Sequence, residues 1–297
     1  MIIVDINFEL YKVFYYVAKD LSFSSASNNL FISQSAVSQS IKTLEEKLDC
    51  KLFFRSTKQV KLTQEGALLF QHIEQAFNFI KTGERALQEV HSLKKGEIRI
   101  GASDTICKHY LLPYFKAFNE QYPSIKIQVT NRTSPRCMEL LHKGILDLIV
   151  VNIPQNLNFK TFQVRKAKDI QDVVIAGEAF QHLTGEALSL EALATHPILM
   201  LEKQSTTRKF LDDYFKEKKV SITPEIELGS VDLLVELTKI GLGLSFVVKE
   251  YIEEHLVNGE VFLLKLEDEI PTRQVGVLTH SNLPLSLAAE KFIDLLE

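Results

Sequence analysis

Cysteine is scarce, with three residues in 297, at positions 50, 107 and 137. An odd number of widely spaced thiols builds no disulfide framework and suits a reducing cytosol. Apolar runs are short. None approaches the roughly 18 residues of a membrane span. The opening stretch MIIVDINFELYKVF lacks the basic start and unbroken apolar run of a signal peptide. A cytoplasmic protein without a membrane role is therefore expected. Signatures of catalysis are missing too: no Walker-type phosphate loop, no G-x-S-x-G elbow, no H-E-x-x-H and no Cys–Cys metal spacing. No enzyme, no metal site and no cofactor is expected. Positive charge is not in excess either. The 34 basic and 38 acidic residues leave a formal net charge of −4, so any nucleic-acid contact must come from a local basic patch.

What remains is a chain long enough for two or three domains. Residues 1–63 read as short helices and a hairpin. Phe8, Tyr11, Phe14, Val17 and Ala18 recur at helical spacing. Ser24 is the expected cap of a short helix ending at Leu30, and Ser33 caps a second helix carrying Val37, Ile41, Leu44 and Leu48 on one face. Two β-prone runs, 51–55 and 59–62, flank a polar turn. Residues 64–95 contain no proline and read as one long helix. Leu69, Ile73, Ala76, Ile80, Gly83, Leu87 and Val90 step by four and three alternately, which is the spacing of a helix paired with another helix. A single amphipathic helix lying on its own domain is the alternative.

From Glu97 onward strands and helices alternate. Strands are expected in EIRIGAS, IKIQVTN, LDLIVVN, DVVIAG, PILMLE, IEL and LSFVV. Helices are expected over 106–121, 136–143, 207–218, 231–240 and 285–296. This order predicts an α/β domain with mostly parallel sheets.

The densest motif is SFSSASNNLFISQSAVSQSIKTLEEKLDCKLFFRSTKQVKLTQEG. It resembles the DNA-binding domain of the LysR-type transcriptional regulators. The matching positions are Ser22, Phe23, Ala26, Leu30, Ser33, Gln34, Ala36, Val37, Ser38, Ile41, Leu44, Glu45, Leu52, Phe53, Arg55, Leu62, Thr63 and Gly66. Ser27 and Ser35 depart from the pattern, standing where alanine and proline are common. The resemblance implies a winged helix-turn-helix in 1–63 whose recognition helix runs from about 34 to 48. Gln34, Ser35, Ser38, Gln39 and Lys42 are its outward donors and acceptors, suited to base edges or phosphates in the major groove of double-stranded promoter DNA. Arg55, Lys58 and Lys61 sit on the wing as phosphate contacts. Residues 33–63 hold six basic and three acidic side chains, a local surplus of +3 in an acidic chain.

Residues 96–297 resemble the regulatory domain of the same family. The resemblance implies a periplasmic-binding-protein-like fold of two subdomains, the first over 96–163 and 268–297, the second over 164–267. It also implies that 64–95 is a dimerising linker helix and that the protein is a dimer or tetramer, with RNA polymerase left open as a further partner. Small ligands in open α/β sheets bind at the carboxyl ends of strands, often between domains. Four polar loops fall there: Ser103, Asp104 and Thr105; Arg132, Thr133 and Ser134; Ser205, Thr206, Thr207 and Arg208; and Ser230. Hydroxyls and free N–H groups at helix starts suit an anion, and Arg132 or Arg208 adds a charge-assisted bond. Asp104 would repel an anion or bind an ammonium group, so an anionic or an amino-acid-like effector is expected. Ordinary helix capping is the other account of these hydroxyls.

Gly241 and Gly243 lack the rest of a dinucleotide fingerprint and are read as helix termination. His109 and His142 are read as packing or surface residues. Cys107 and Cys137 are read as inert thiols, because peroxide-sensing relatives carry their reactive cysteine near the stretch that is LEKQST here. Two other readings stay open: a DNA-binding regulator with a vestigial cleft, and a small-molecule-binding module without DNA affinity.

Overall fold

The computed structural model describes residues 6–55, 59–90, 96–154 and 156–296. The chain divides into two compact units, Met1–Thr82 and Gly83–Glu297.

The first unit opens with α1 (Phe8–Asp20), α2 (Phe23–Leu30) and α3 (Gln34–Leu48). Their inward faces carry Phe14, Val17, Ala26, Val37, Ile41 and Leu44, all within a few per cent of full burial. Ala26 is completely buried in that core, where a larger side chain would force the helices apart. Ser22, not Ser24, caps α2: its hydroxyl accepts from Ser25 N. Ser22 has the extended backbone a cap requires, and Ser24 already lies in the first turn. Ser33 caps α3 as expected, accepting from Ala36 N at 3.2 Å.

Strands β1 (Phe53–Arg55) and β2 (Val60–Leu62) pair antiparallel, Phe53 opposite Leu62. Helix α4 (Gln64–Val90) follows. Thr63 Oγ1 accepts from Gly66 N at 2.9 Å and donates to Lys51 O at 2.6 Å. Gly66 must be bare here, since a Cβ would come within 2.1 Å of Leu52 O. The first half of α4 is not a free linker. Phe77 stacks on Tyr15 at 4.7 Å and on Phe8 at 5.4 Å. Leu69, Phe70 and Ile73 pack on the helical core.

The second unit holds two five-stranded sheets. The first, in spatial order β4-β3-β5-β12-β6, uses β3 (Gly96–Ala102), β4 (Ile125–Asn131), β5 (Leu148–Asn152), β6 (Phe162–Ile170) and β12 (Arg273–His280). The second, β11-β7-β10-β8-β9, uses β7 (Asp172–Ala176), β8 (Ile198–Leu201), β9 (Ile226–Leu228), β10 (Leu244–Val248) and β11 (Phe262–Leu264). Both are mixed rather than mostly parallel. β12 runs antiparallel to β5 and β6, and β7 antiparallel to β10 and β11. β6, β11 and β12 were not expected as strands.

The first crossing between subdomains therefore lies at Gln171, not at 163–164, because β6 belongs to the first sheet. Its sequence FQVRKAKDI carries four charges and hides its pairing. The return lies after Ile270, which still packs in the second core, rather than at 268.

Helices cover both sheets. α5 (Asp104–Ile106) passes through a π-helical turn at Cys107–Leu111 into α6 (Leu112–Gln121), where one regular helix was expected. α7 (Ser134–His142), α8 (Leu190–Leu193), α9 (Thr206–Glu217), α10 (Val231–Lys239), α11 (Glu253–Val257) and α12 (Leu287–Leu295) complete the set. Gly241, at φ +82°, ends α10 in the left-handed region. Its N–H bonds Thr238 O, and Leu242 N bonds Leu237 O, which closes the helix. β5 is buried on both faces. Leu148 and Val150 meet α6 and α12 residues in one core, and Ile149 and Val151 meet α7 residues in another, as expected of a central strand. Among the described residues no helix is long and apolar enough to cross a membrane.

Candidate functional site

Helix α3 turns Val37, Ile41 and Leu44 inward, so its other face must meet solvent or a partner. Gln34, Ser35, Gln39 and Lys42 are exposed on it, and Ser38 is half-buried. The Ser35 and Ser33 hydroxyls lie 2.9 Å apart, which fixes Ser35 beside the cap. Lys42 reaches Glu46 at 3.7 Å across one exposed turn, a pairing weak enough to exchange for a phosphate. Lys61 is exposed on β2. Lys58 and the side chain of Arg55 lie outside the described residues. Phe31, 95% exposed at φ 54°, stands in the turn before α3.

Glu45 anchors α3 to the wing. Its buried carboxylate accepts from Leu52 N at 2.9 Å and Lys51 Nζ at 2.9 Å. Burial alone would raise this carboxyl. The Leu52 N–H and the Lys51 ammonium outweigh it and hold the group below its ordinary 4.5.

In the second unit a solvent-open cleft is lined by the ends of strands and the starts of helices from both sheets, the place where open α/β folds bind small ligands. Of the expected residues it brings together Ser103, Thr105, Thr133, Ser134, Ser205, Thr206 and Thr207. Ser103 and Ser205 also cap helices, accepting from Ile106 N and Arg208 N. Thr133 makes no side-chain cap bond.

Four expected residues do not line it. Arg208 is 5% exposed and committed elsewhere, with Nε on Asp212 at 2.8 Å, Nη1 on Leu201 O at 2.9 Å and Nη2 on Glu227 at 3.4 Å. Arg132 is exposed and bonds Asn131 O. Asp104 accepts from Asn131 Nδ2 at 2.9 Å. Ser230 caps α10 through Leu233 N at 3.3 Å, leaving its neighbours Gly229 and Val231 to face the cleft.

The charged lining residues, among those described, are Arg273 and Glu202, and neither was expected. Arg273 opens β12, which was missed as a strand. Asn152 and Tyr251 also line the cleft, over an apolar floor that includes Leu201, Phe246 and Val248. Asn152 was legible in principle: it is the polar residue that ends the apolar run of β5, at a strand's carboxyl end. Burial pushes the Tyr251 hydroxyl up to about 12, so it stays protonated.

His109 stacks on Tyr251 at 4.8 Å and reaches Asp232 at 3.3 Å. His142 stacks on His280 at 6.0 Å. Burial pushes the Cys107 and Cys137 thiols up to about 11, away from the lowered values that make a thiol reactive.

Comparison with known proteins agrees with this architecture. Residues 8–67 match the family model of the bacterial regulatory helix-turn-helix protein of the lysR family, and residues 91–297 match that of the LysR substrate binding domain. A probable RuBisCO transcriptional regulator of Cyanidioschyzon merolae is 29% identical over 95% of this chain and 94% of its own. The HTH-type transcriptional activator CmpR of Synechocystis is 25% identical over 96% and 93%. Among solved structures, full-length OxyR of Pseudomonas aeruginosa superposes with a TM-score of 0.71 at 18% identity, covering 98% of this chain and 94% of that one. CbnR in complex with its target DNA superposes with 0.62 at 14% identity, over 98% and 99%. The chain belongs to the LysR family of transcriptional regulators, DNA-binding proteins that carry an effector-binding domain.

Proposed function

We propose that this regulator reads promoter DNA with Gln34, Ser35, Ser38, Gln39 and Lys42 of α3, and holds phosphates with Arg55, Lys58 and Lys61 of the wing. The observation that carries this reading is the exposed polar face of α3, set rigidly over a dry core and tied to the wing by Glu45. One such module covers only roughly 600–1,000 Å² of DNA-facing surface. Two modules on a two-fold site, paired through α4, bind tightly where one does not. The protein therefore acts as a dimer or tetramer in the cytoplasm. The named relative CbnR, solved on its target DNA, supports the same use of this fold. An effector that prefers the closed cleft shifts the population of subdomain arrangements and with it the spacing of the DNA-reading heads. RNA polymerase is a further partner in this scheme.

A gel shift on the DNA upstream of the gene tests the reading. Affinity should fall steeply with salt, as counterion release requires. Gln39→Ala should cost about 1–3 kcal/mol and relax sequence choice. Salt-insensitive binding, or unchanged specificity in the variant, would sink the assignment.

A further inference from the structure

Two buried polar atoms in the cleft wall have no hydrogen-bond partner among the described residues: Asn152 Oδ1, an acceptor, and Arg273 Nη1, a donor. An unpaired buried group destabilises a fold, and two stand at this one site. Strand register explains their proximity. Asn152 of β5 lies opposite Val275 of β12, and residues two apart on a strand share a face. Val150 therefore shares a face with Asn152, and Val275 shares it with Arg273. Both valines belong to the first core. A face that is dry along the strands thus ends at the cleft in one acceptor and one donor.

The charge of Arg273 is already matched. Its Nε and Nη2 donate to the two carboxylate oxygens of Asp172, whose side chain is fully buried. The fork is fixed, and Nη1 is left for a ligand. With no net charge on the pair, Arg273 offers a directed donor rather than a general attraction for anions. The start of α7 beside Thr133, whose hydroxyl makes no cap bond, adds the Ser134 N–H for an anionic oxygen, Pro135 having none. Glu202 and Asn152 Oδ1 supply the opposite need, a ligand group that donates.

Resting on the reading of this cleft as the effector site, we infer that Arg273 and Asn152 form a two-point reader for a small carboxylic acid carrying an amino or hydroxyl donor next to its carboxylate. The carboxylate accepts from Arg273 Nη1, and the neighbouring group donates to Asn152 Oδ1. Arg273 and Asp172 are the first residues of β12 and β7, the strands that leave the two crossings. The ligand therefore bonds directly to the hinge, where occupancy is translated into subdomain geometry.

The test is thermal unfolding of the full-length chain with propionate, lactate or alanine. Lactate or alanine should raise the midpoint at a concentration about tenfold or more below propionate, the factor that one satisfied hydrogen bond supplies. Which of the two acts separates a hydroxyl from an amino effector. Asn152→Leu should erase that preference while the propionate response stays. Arg273→Lys should lose the response to all three acids; if this variant does not fold, Asn152→Leu alone carries the test. Equal responses to the three acids in the unaltered chain, or an unchanged preference in Asn152→Leu, overturn the reader. A chain that ignores these acids but is stabilised by another small molecule overturns the reader and leaves the cleft reading standing. A chain that nothing in a metabolite screen stabilises overturns both.

Discussion

Single residues explain why several motif positions are what they are. Thr63 and Gly66 form one device: the threonine caps α4 and ties it to Lys51, and the glycine lets α4 meet Leu52 O without a clash. Glu45 closes the wing onto α3. Glu45→Ala should cost about 2 kcal/mol, since Leu52 N–H loses its buried acceptor, and calorimetry will measure it. The pH dependence has a definite sign. The folded carboxyl sits below its ordinary 4.5, so its stabilisation is complete above that value and disappears as pH falls through the lowered one. The alanine variant should lose that part of the acid sensitivity. An unchanged acid transition would show that other carboxylates dominate it.

At the scale of elements, α4 has two roles along its length. Its first half is part of the helical core through Phe70, Ile73 and Phe77. Farther along, apolar side chains remain exposed, Ile80 at 44% and Leu87 at 69%. Packing on its own domain, one of the two alternatives for this helix, therefore holds for its first half, and heptad pairing is the proposal for the exposed stretch beyond it. Leu87→Asp should weaken self-association by about tenfold or more, because a charge replaces an apolar side chain in a helix seam, with the midpoint of thermal unfolding at high protein concentration little changed. Sedimentation equilibrium reads the difference. Unaltered self-association would place the interface elsewhere.

For the effector-binding unit as a whole, the subdomains meet through side chains that cross between them. Val248 ends β10 of the second sheet and Tyr251 follows it, but both pack into the first core. His109, on the π-helical turn, stacks on Tyr251 and bonds Asp232 of α10, which also holds Lys108 at 2.9 Å. Burial holds the His109 ring below its ordinary 6.5, outweighing the pull of Asp232, while Lys108 and His255 push the same way as burial. An opened cleft would hydrate the ring and restore its ordinary value. The open form therefore binds more protons, and acidification from about pH 7.5 to about pH 5.5 should favour opening. Small-angle scattering should show the expansion, and His109→Gln should abolish its pH dependence. The same pH response in that variant would exclude His109 as its source.

Local pattern was enough for the helices of the first unit, for the cap at Ser33 and for the buried strands of the second. Each depends on neighbours within a few residues: apolar spacing, a hydroxyl before a helix, an unbroken run such as LIVVN. β6 and β12 escaped because their pairing partners lie about a hundred residues away, and no local signal in FQVRKAKDI announces an edge strand. The cleft divides in the same way. Its hydroxyls were legible because they begin helices. Tertiary contacts decided the charges: Arg208 is consumed by Asp212 and Glu227, and Arg273 is delivered by the return crossing. Which arginine faces the cleft depends on which carboxylates the fold brings to each, and that is settled only when distant strands are side by side.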